Sequence, residues 1–136
     1  MIFDGDRSIR GHRSKAAGRD PAAVTRMIEV KVSYDRDLEY AHKACDWWAA
    51  LALKPEEKSG IEDPIEMERL ADAHLDRAHT RFIVSDDPQD CAERIWTYAG
   101  LGFDRLVFHG PGNDQRRFLE QFSADVLPLL RERAAG

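Results

Sequence analysis

The chain has 136 residues, 43% of them hydrophobic and 33% charged, and its formal net charge is −5 at pH 7. These values are typical of one soluble globular domain. The acidic balance argues against an extended nucleic-acid footprint, which needs a clustered basic face. No apolar run approaches the roughly 18 residues of a membrane span, and the basic N-terminus has no apolar stretch that would make it a signal peptide. We interpret Cys45 and Cys91 as buried thiols of a reducing cytosol rather than as a disulfide.

The first third of the chain contains one clear strand. Residues 1–19 hold glycines among polar residues and no apolar period, so we expect a loose N-terminal tail before a folded region of residues 20–136. The segment from Met27 to Asp35 alternates between apolar and polar side chains, which predicts a β-strand with two different faces. The apolar face carries Ile28, Val30, Val32 and Tyr34, and the polar face carries Glu29, Lys31 and Ser33.

Helices and strands alternate over the remainder. An alanine-rich helix is predicted for residues 37–53, and a second helix for residues 63–79 after a polar break. Strands are predicted at residues 81–85 and 103–109, with a helix at residues 87–100 between them. A final amphipathic helix follows a Gly-Pro-Gly loop. Aspartate-proline pairs mark several helix starts, because the carboxylate caps the helix and proline needs no N–H partner in the first turn.

Three strands separated by helices must run parallel and be joined by right-handed crossovers. Three parallel strands alone leave two long unpaired edges, which complete folds of this class cover or close. A (β/α)8 barrel typically needs about 250 residues. We therefore interpret the chain as the C-terminal part of such an α/β barrel, about three β/α units with a helical insertion after the first strand. The competing architecture is a small open α/β domain.

In a barrel, the active site lies at the carboxyl ends of the strands. His109 leaves the last strand, so it is a candidate for proton transfer or simply a histidine hydrogen-bonded to the neighbouring loop. The loop Gly110–Gly112 precedes a helix and could receive an anion there, or could be a tight turn. Lys58 lies in the polar break and is a candidate point charge for a phosphate, against the alternative of a solvated surface lysine.

The sequence does not predict a metal site. His42 and Cys45 are spaced as ligands could be, and Asp72, His74 and His79 are ligand types too. None of these groups makes a complete set with a recognisable spacing.

Three longer stretches carry a family resemblance. They are residues 27–35 (MIEVKVSYD), 58–72 (KSGIEDPIEMERLAD) and 106–122 (LVFHGPGNDQRRFLEQF). Together they resemble the C-terminal part of the glucose-6-phosphate dehydrogenases that use coenzyme F420, which belong to the bacterial-luciferase-like superfamily. The resemblance covers roughly residues 15–133. It implies that the α/β region is the C-terminal part of a luciferase-like TIM barrel.

The resemblance also implies a function. Family members transfer a hydride from C1 of glucose 6-phosphate to coenzyme F420 and release 6-phosphogluconolactone. They hold the sugar phosphate with a basic cluster, and the positions that match it here are Lys58 and Arg81. The complete enzyme is expected to be a cytoplasmic homodimer that has no nucleic-acid or membrane partner.

The chain departs from the family pattern in two ways. Ser59 follows the matched lysine where the family often has histidine. The family's catalytic histidine, its acidic partner and nearly all its coenzyme contacts lie in the first two-thirds of the barrel, so no catalytic or cofactor-binding residue is expected in this chain. We therefore expect it to be inactive alone. The alternative is a stand-alone anion-binding module, or a subunit that completes another chain.

Overall fold

A computed structural model describes residues 13–136 of the chain. Its strands are β1 (Met27–Tyr34), β2 (Ile83–Ser85) and β3 (Arg105–His109). The α-helices that follow β1 are α1 (Leu38–Ala44), α2 (Pro55–Lys58), α3 (Pro64–Asp72), α4 (Pro88–Gly100), α5 (Gln115–Asp125) and α6 (Leu127–Ala135). Short 3₁₀ segments lie at Pro21–Ala23, Cys45–Ala52 and Leu75–Arg81.

The N-terminal tail predicted for residues 1–19 is only partly described. Residues 1–12 lie outside the described residues. Residues 13–16 are helical rather than loose, and the N–H of Ala17 donates to the carbonyl of Arg13 at 3.0 Å. The turn ends at Gly18, whose φ of +70° is a conformation that glycine adopts without a steric penalty.

The three strands form one parallel sheet with β1 in the middle. The carboxyl half of β1 pairs with β2, where Val32 lies opposite Ile83. The amino half pairs with β3, where Lys31 lies opposite His109. The predicted parallel α/β class is therefore confirmed, and β1 has a neighbour on each side, β2 along its carboxyl half and β3 along its amino half.

The order of the strands, β2-β1-β3, differs from the order along the chain. Consecutive strands of a (β/α)8 barrel are neighbours, which would place β2 in the centre. An order in which the first strand is central is typical of open, doubly wound sheets. Here β3 covers the edge of β1 that β2 leaves open, and so satisfies backbone groups that would otherwise be unpaired.

Side-chain caps fix where the helices begin. Asp63 accepts a hydrogen bond from the Ile65 N–H at 3.0 Å, and Asp87 accepts one from the Gln89 N–H at 2.8 Å. Each cap is followed by proline in the first turn. Both starts agree with the sequence expectation, because a capping carboxylate satisfies N–H groups that have no partner within the helix.

The ends of the helices were predicted less well. The helix expected at residues 37–53 becomes α1 followed by a 3₁₀ segment, in which Trp48 has the non-helical angles φ −118° and ψ 23°. The helix expected at residues 63–79 ends at Asp72 and is followed by the 3₁₀ segment Leu75–Arg81. The final helix breaks between α5 and α6, because Pro128 cannot donate a hydrogen bond to the preceding turn.

Two apolar cores lie on opposite faces of the sheet. The sheet core packs the apolar face of β1 against α4, α5 and α6, and its buried centre includes Val30, Val32, Ile95 and Val126. The insertion core packs the segments between β1 and β2 on one another and on Phe82. Cys91 lies in the first core and Cys45 in the second, both as free buried thiols. Burial raises the pKa of Cys45 to about 11 and that of Cys91 to about 12.

Candidate functional site

The carboxyl end of β1 is held by an ion pair. Asp35 is 2% exposed, and both its oxygens accept from Arg117 on α5, at 2.6 Å from Nε and 2.8 Å from Nη2. The guanidinium also lies 3.9 Å from the centre of the Tyr40 ring. Burial opposes ionisation of Asp35, but hydrogen bonds from Arg117 and from the Asp37 N–H lower the pKa of this carboxyl below its ordinary value. Asp35 and Arg117 each have an oppositely charged partner at hydrogen-bond distance, which is typical of a contact that stabilises the fold.

A second pair lies beside the first. Arg36 donates two hydrogen bonds of 2.8 Å to Asp125, and the Tyr34 hydroxyl donates to the same carboxylate at 2.8 Å. Burial, together with the Asp125 carboxylate, raises the pKa of Tyr34. The edge where a barrel would have its active site is thus occupied in this chain by contacts that join β1 to α5.

His109 contacts groups on a neighbouring strand and in the insertion. Its Nδ1 lies 3.4 Å from Glu29 Oε1, and its ring packs edge-on against Trp48 with the ring centres 4.7 Å apart. Glu29 also accepts from Lys31 Nζ at 2.8 Å, and this hydrogen bond is the main reason why the pKa of Glu29 is lowered. The partner of His109 is therefore the polar face of β1, and not the adjacent loop that the sequence suggested.

The Gly-Pro-Gly loop is held by contacts to α5 and to Trp48. A Cβ at Gly110 would lie 2.7 Å from the Phe118 ring, so only glycine fits there. Trp48 Nε1 donates to the carbonyl of Pro111 at 2.9 Å. The N-terminus of α5 is capped by Asp114, whose carboxylate accepts from the Arg117 N–H at 3.0 Å. A carboxylate of the chain itself thus occupies the position where an anion would bind.

Arg81 lines a hollow of about 360 Å³ below the amino end of β2. Two other cations, Lys31 and Arg94, line it as well, together with one acid, Glu29. Lys31 is paired with Glu29, and Arg94 donates to the Val84 carbonyl at 2.9 Å. Within residues 13–136 Arg81 makes no ion pair and is exposed. Of the cations around this hollow, Arg81 is thus the one that is available to an added anion.

Lys58 lies outside the hollow that Arg81 lines. It is the last residue of α2 and is half-buried. The preceding Glu57 accepts from Arg77 at 3.1 and 3.2 Å, which anchors α2 to the 3₁₀ segment before β2. Lys58 is not among the residues that line the Arg81 hollow. None of the cavities described within residues 13–136 is lined by both predicted phosphate residues, and Arg81 ends a 3₁₀ segment two residues before β2 instead of opening the strand.

The residues that surround Arg81 were only partly visible in the sequence. Lys31 was expected on the polar face of β1, where it lies. Arg94 gave no signal, because its position in α4 is that of an ordinary exposed helix residue. Within residues 13–136 no three histidine, cysteine, aspartate or glutamate side chains already converge as a metal site. None of the helices described over this range is long and apolar enough to cross a bilayer.

Comparisons with known proteins agree with the fold. A solved structure of an F420-dependent secondary alcohol dehydrogenase, in complex with an F420-acetone adduct, superposes with a TM-score of 0.68 at 20% identity. The match covers 88% of this chain and 36% of that one. The chain thus shares the parallel α/β fold of part of that structure. No protein-family model matches it.

Comparison with known sequences gives a more specific similarity than the comparison of folds. F420-dependent glucose-6-phosphate dehydrogenases from Nakamurella multipartita and Beutenbergia cavernae are 53% and 54% identical to the chain over 116 residues. The enzyme from Mycolicibacterium smegmatis is 49% identical over 120 residues. These matches cover 85–88% of the chain but only 34–36% of the relatives. The chain is homologous to the C-terminal part of the F420-dependent glucose-6-phosphate dehydrogenases and spans about a third of their length.

Proposed function

We propose that the chain contributes the C-terminal third of an enzyme that transfers a hydride from C1 of glucose 6-phosphate to coenzyme F420, giving 6-phosphogluconolactone. The identity of about 50% with dehydrogenases of this name carries the proposal. Such a complete enzyme would be a cytoplasmic homodimer, and the two free buried thiols fit a reducing compartment. The acidic net charge gives no reason to expect a nucleic-acid or membrane partner.

The part of the substrate that this chain would hold is the phosphate. Arg81 lacks an ion pair within residues 13–136, and its planar guanidinium can donate two parallel hydrogen bonds to phosphate oxygens. Lys31 and Arg94 add positive charge to the same hollow. Lys58 would join this cluster only if the insertion brought α2 over the hollow. Phosphate contacts of this kind anchor the sugar far from its reacting carbon and so fix its position.

We propose that the contacts to the coenzyme itself lie outside this chain. A hollow of about 540 Å³ between α3 and the 3₁₀ segment Cys45–Ala52 is lined by the carboxylates of Asp46, Glu68 and Asp72. These charges would repel the phosphate and carboxylate groups of coenzyme F420. We therefore assign no catalytic and no coenzyme-binding residue to this chain, and we propose that it is inactive alone.

The test uses the purified chain and two measurements. With coenzyme F420 and glucose 6-phosphate we expect no turnover above background, and measured turnover would overturn the proposed inactivity. Titration of glucose 6-phosphate, followed by NMR, should show binding no tighter than about millimolar, because exposed charge pairs contribute at most about 1 kcal/mol each. Arg81→Gln and Lys58→Gln should each weaken it, whereas Arg116→Gln, a change at an exposed arginine on α5, should not. If all three variants bind glucose 6-phosphate equally well, the assignment of Arg81 and Lys58 to a phosphate site is wrong.

A stand-alone, non-catalytic anion-binding module is the second candidate function. The observation that favours it is the strand order, since β1 has a neighbouring strand on each side and its apolar face is covered by helices. A monomer that unfolds in one cooperative transition would support this candidate. The chain could instead aggregate alone and become monodisperse only when a polypeptide with the N-terminal two-thirds of a relative is added. That result would support a subunit that completes another chain.

A further inference from the structure

Two histidines from different elements meet in a hollow on the insertion side of the molecule. His42 lies in α1 and His79 lies in the 3₁₀ segment Leu75–Arg81. Both are exposed, and both line a hollow of about 260 Å³. From these residues we infer that the chain binds a divalent transition-metal ion between α1 and this 3₁₀ segment. The site is separate from the residues proposed to hold the phosphate.

The distance between the two rings fits shared coordination of one ion. Their centres are 5.1 Å apart, and the ring planes are inclined by 69°. Two imidazoles that bind one zinc ion at the tetrahedral angle have ring centres about 5.2 Å apart, because each zinc–nitrogen bond is about 2.0–2.1 Å and each nitrogen lies about 1.1 Å from its ring centre. The observed spacing of the two rings is thus close to the one that shared coordination requires, although their edge-on packing means that the rings must reorient before two nitrogens can face one ion.

Carboxylates surround the pair. Glu39, Asp46 and Asp76 line the same hollow, with Lys43 as the one cation, so the formal charge of the lining is −2 when both histidines are neutral. Asp46 follows His42 by four residues, and Asp76 precedes His79 by three. Side chains at these spacings lie on the same face of a helical segment. Either carboxylate can therefore turn toward the ion as a third ligand.

Apart from their edge-on packing against each other, the two imidazoles have no side-chain partner recorded within the described residues. Within residues 13–136 neither ring makes a side-chain hydrogen bond, in contrast to His74, whose Nδ1 lies 2.9 Å from the Leu70 carbonyl. Imidazole and carboxylate donors suit zinc, nickel and copper rather than magnesium or calcium. Three ligands do not yet converge in this geometry, so we expect an open site that takes its remaining ligands from water.

An ion at this site would connect two parts of the insertion. It would hold α1 against the segment that leads directly into β2, and His79 is only two residues before Arg81. Metal binding would thereby restrict the backbone that positions Arg81. The sequence alone could not reveal the pair, because 37 positions separate its members and neither belongs to a short ligand motif.

The experiment is a calorimetric titration of the tag-free chain with Zn²⁺, Ni²⁺ and Cu²⁺. We expect one ion per chain and the tightest binding for Cu²⁺. His42→Gln and His79→Gln should each raise Kd by about tenfold or more, since each removes one of two imidazole ligands. His74→Gln is the matched control and should leave Kd unchanged.

Two outcomes would overturn the site. One is the absence of saturable binding, and the other is wild-type affinity in both the His42→Gln and His79→Gln proteins. Imidazole ¹⁵N shifts give a readout that does not depend on affinity. Added Zn²⁺ should move the ring nitrogens of His42 and His79 and leave those of His74 in place. Because neither measurement involves a sugar phosphate, failure here would leave the proposed function untouched.

Discussion

The two faces of the sheet are built in different ways. On one face, regular helices of nine or more residues pack on the alternating apolar side chains of β1, and Val32 and Ile95 are completely buried. On the other face, four- to nine-residue helices and 3₁₀ turns pack mainly on one another. The second face carries the proposed phosphate and metal residues. The first face therefore supplies stability, and the second presents exposed polar groups on short, irregular segments.

The largest effect should come from the sheet core. Ile95 is 0% exposed, and Ile95→Ala should lower the free energy of unfolding by about 4 kcal/mol, because it removes buried methyl groups and leaves a cavity. Leu53 is 4% exposed in the insertion core, and Leu53→Ala should cost only about 2 kcal/mol, since loosely connected turns can relax around the cavity. Urea unfolding followed by circular dichroism measures both.

Ile65→Ala is the control for this comparison. Because the Ile65 side chain is 58% exposed, its removal should change the free energy of unfolding very little. Equal losses from Ile95→Ala and Leu53→Ala would show that the two faces unfold as one equally rigid unit. Hydrogen exchange gives an independent check, since amides of Cys45–Ala52 should exchange before those of α4 if the insertion opens locally.

Features that depend on local sequence patterns were predicted from the sequence, whereas features that depend on tertiary packing were not. The alternation along Met27–Tyr34 and the capping residues Asp63 and Asp87 predicted their elements, because each depends on a local pattern or a single hydrogen bond. The break at Trp48 and the strand order were not predictable, since both are decided by tertiary packing. Arg81 was identified only through the family resemblance, and Arg94 lines the same hollow because tertiary packing brings α4 beside β2.

The ion pair that joins β1 to α5 should have the next largest effect. Asp35→Asn leaves the Arg117 guanidinium without its charge partner, and because this guanidinium side chain is 38% exposed and therefore partly solvated, the loss should be about 1–2 kcal/mol of stability. The pKa of Asp35 is lowered in the folded chain, so its stabilising contribution is complete above the unfolded pKa of about 3.9 and is lost as the pH falls toward the lower folded value. The wild-type chain should therefore lose more stability below about pH 4 than Asp35→Asn does.

Asp86→Asn serves as the control for this pair, because Asp86 is exposed and makes no side-chain hydrogen bond or ion pair within residues 13–136. It should match the wild-type chain at neutral pH and in acid. Stability measured by urea unfolding at a series of pH values distinguishes the two aspartates. An Asp35→Asn protein with an unchanged acid transition would mean that other carboxylates, such as Asp125, dominate acid unfolding.

The smallest effect concerns two adjacent tryptophans that differ in one hydrogen bond. Trp48 donates from Nε1 to the Pro111 carbonyl and so ties the insertion to the loop after β3, whereas Trp47 is 70% exposed. Trp48→Phe keeps most of the ring but removes the donor, which should cost about 1 kcal/mol. Trp47→Phe should stay within about 0.5 kcal/mol of the wild-type chain. In NMR spectra the Trp48 indole proton should exchange with water more slowly than that of Trp47. If both substitutions are neutral, the stability of the insertion does not depend on this hydrogen bond.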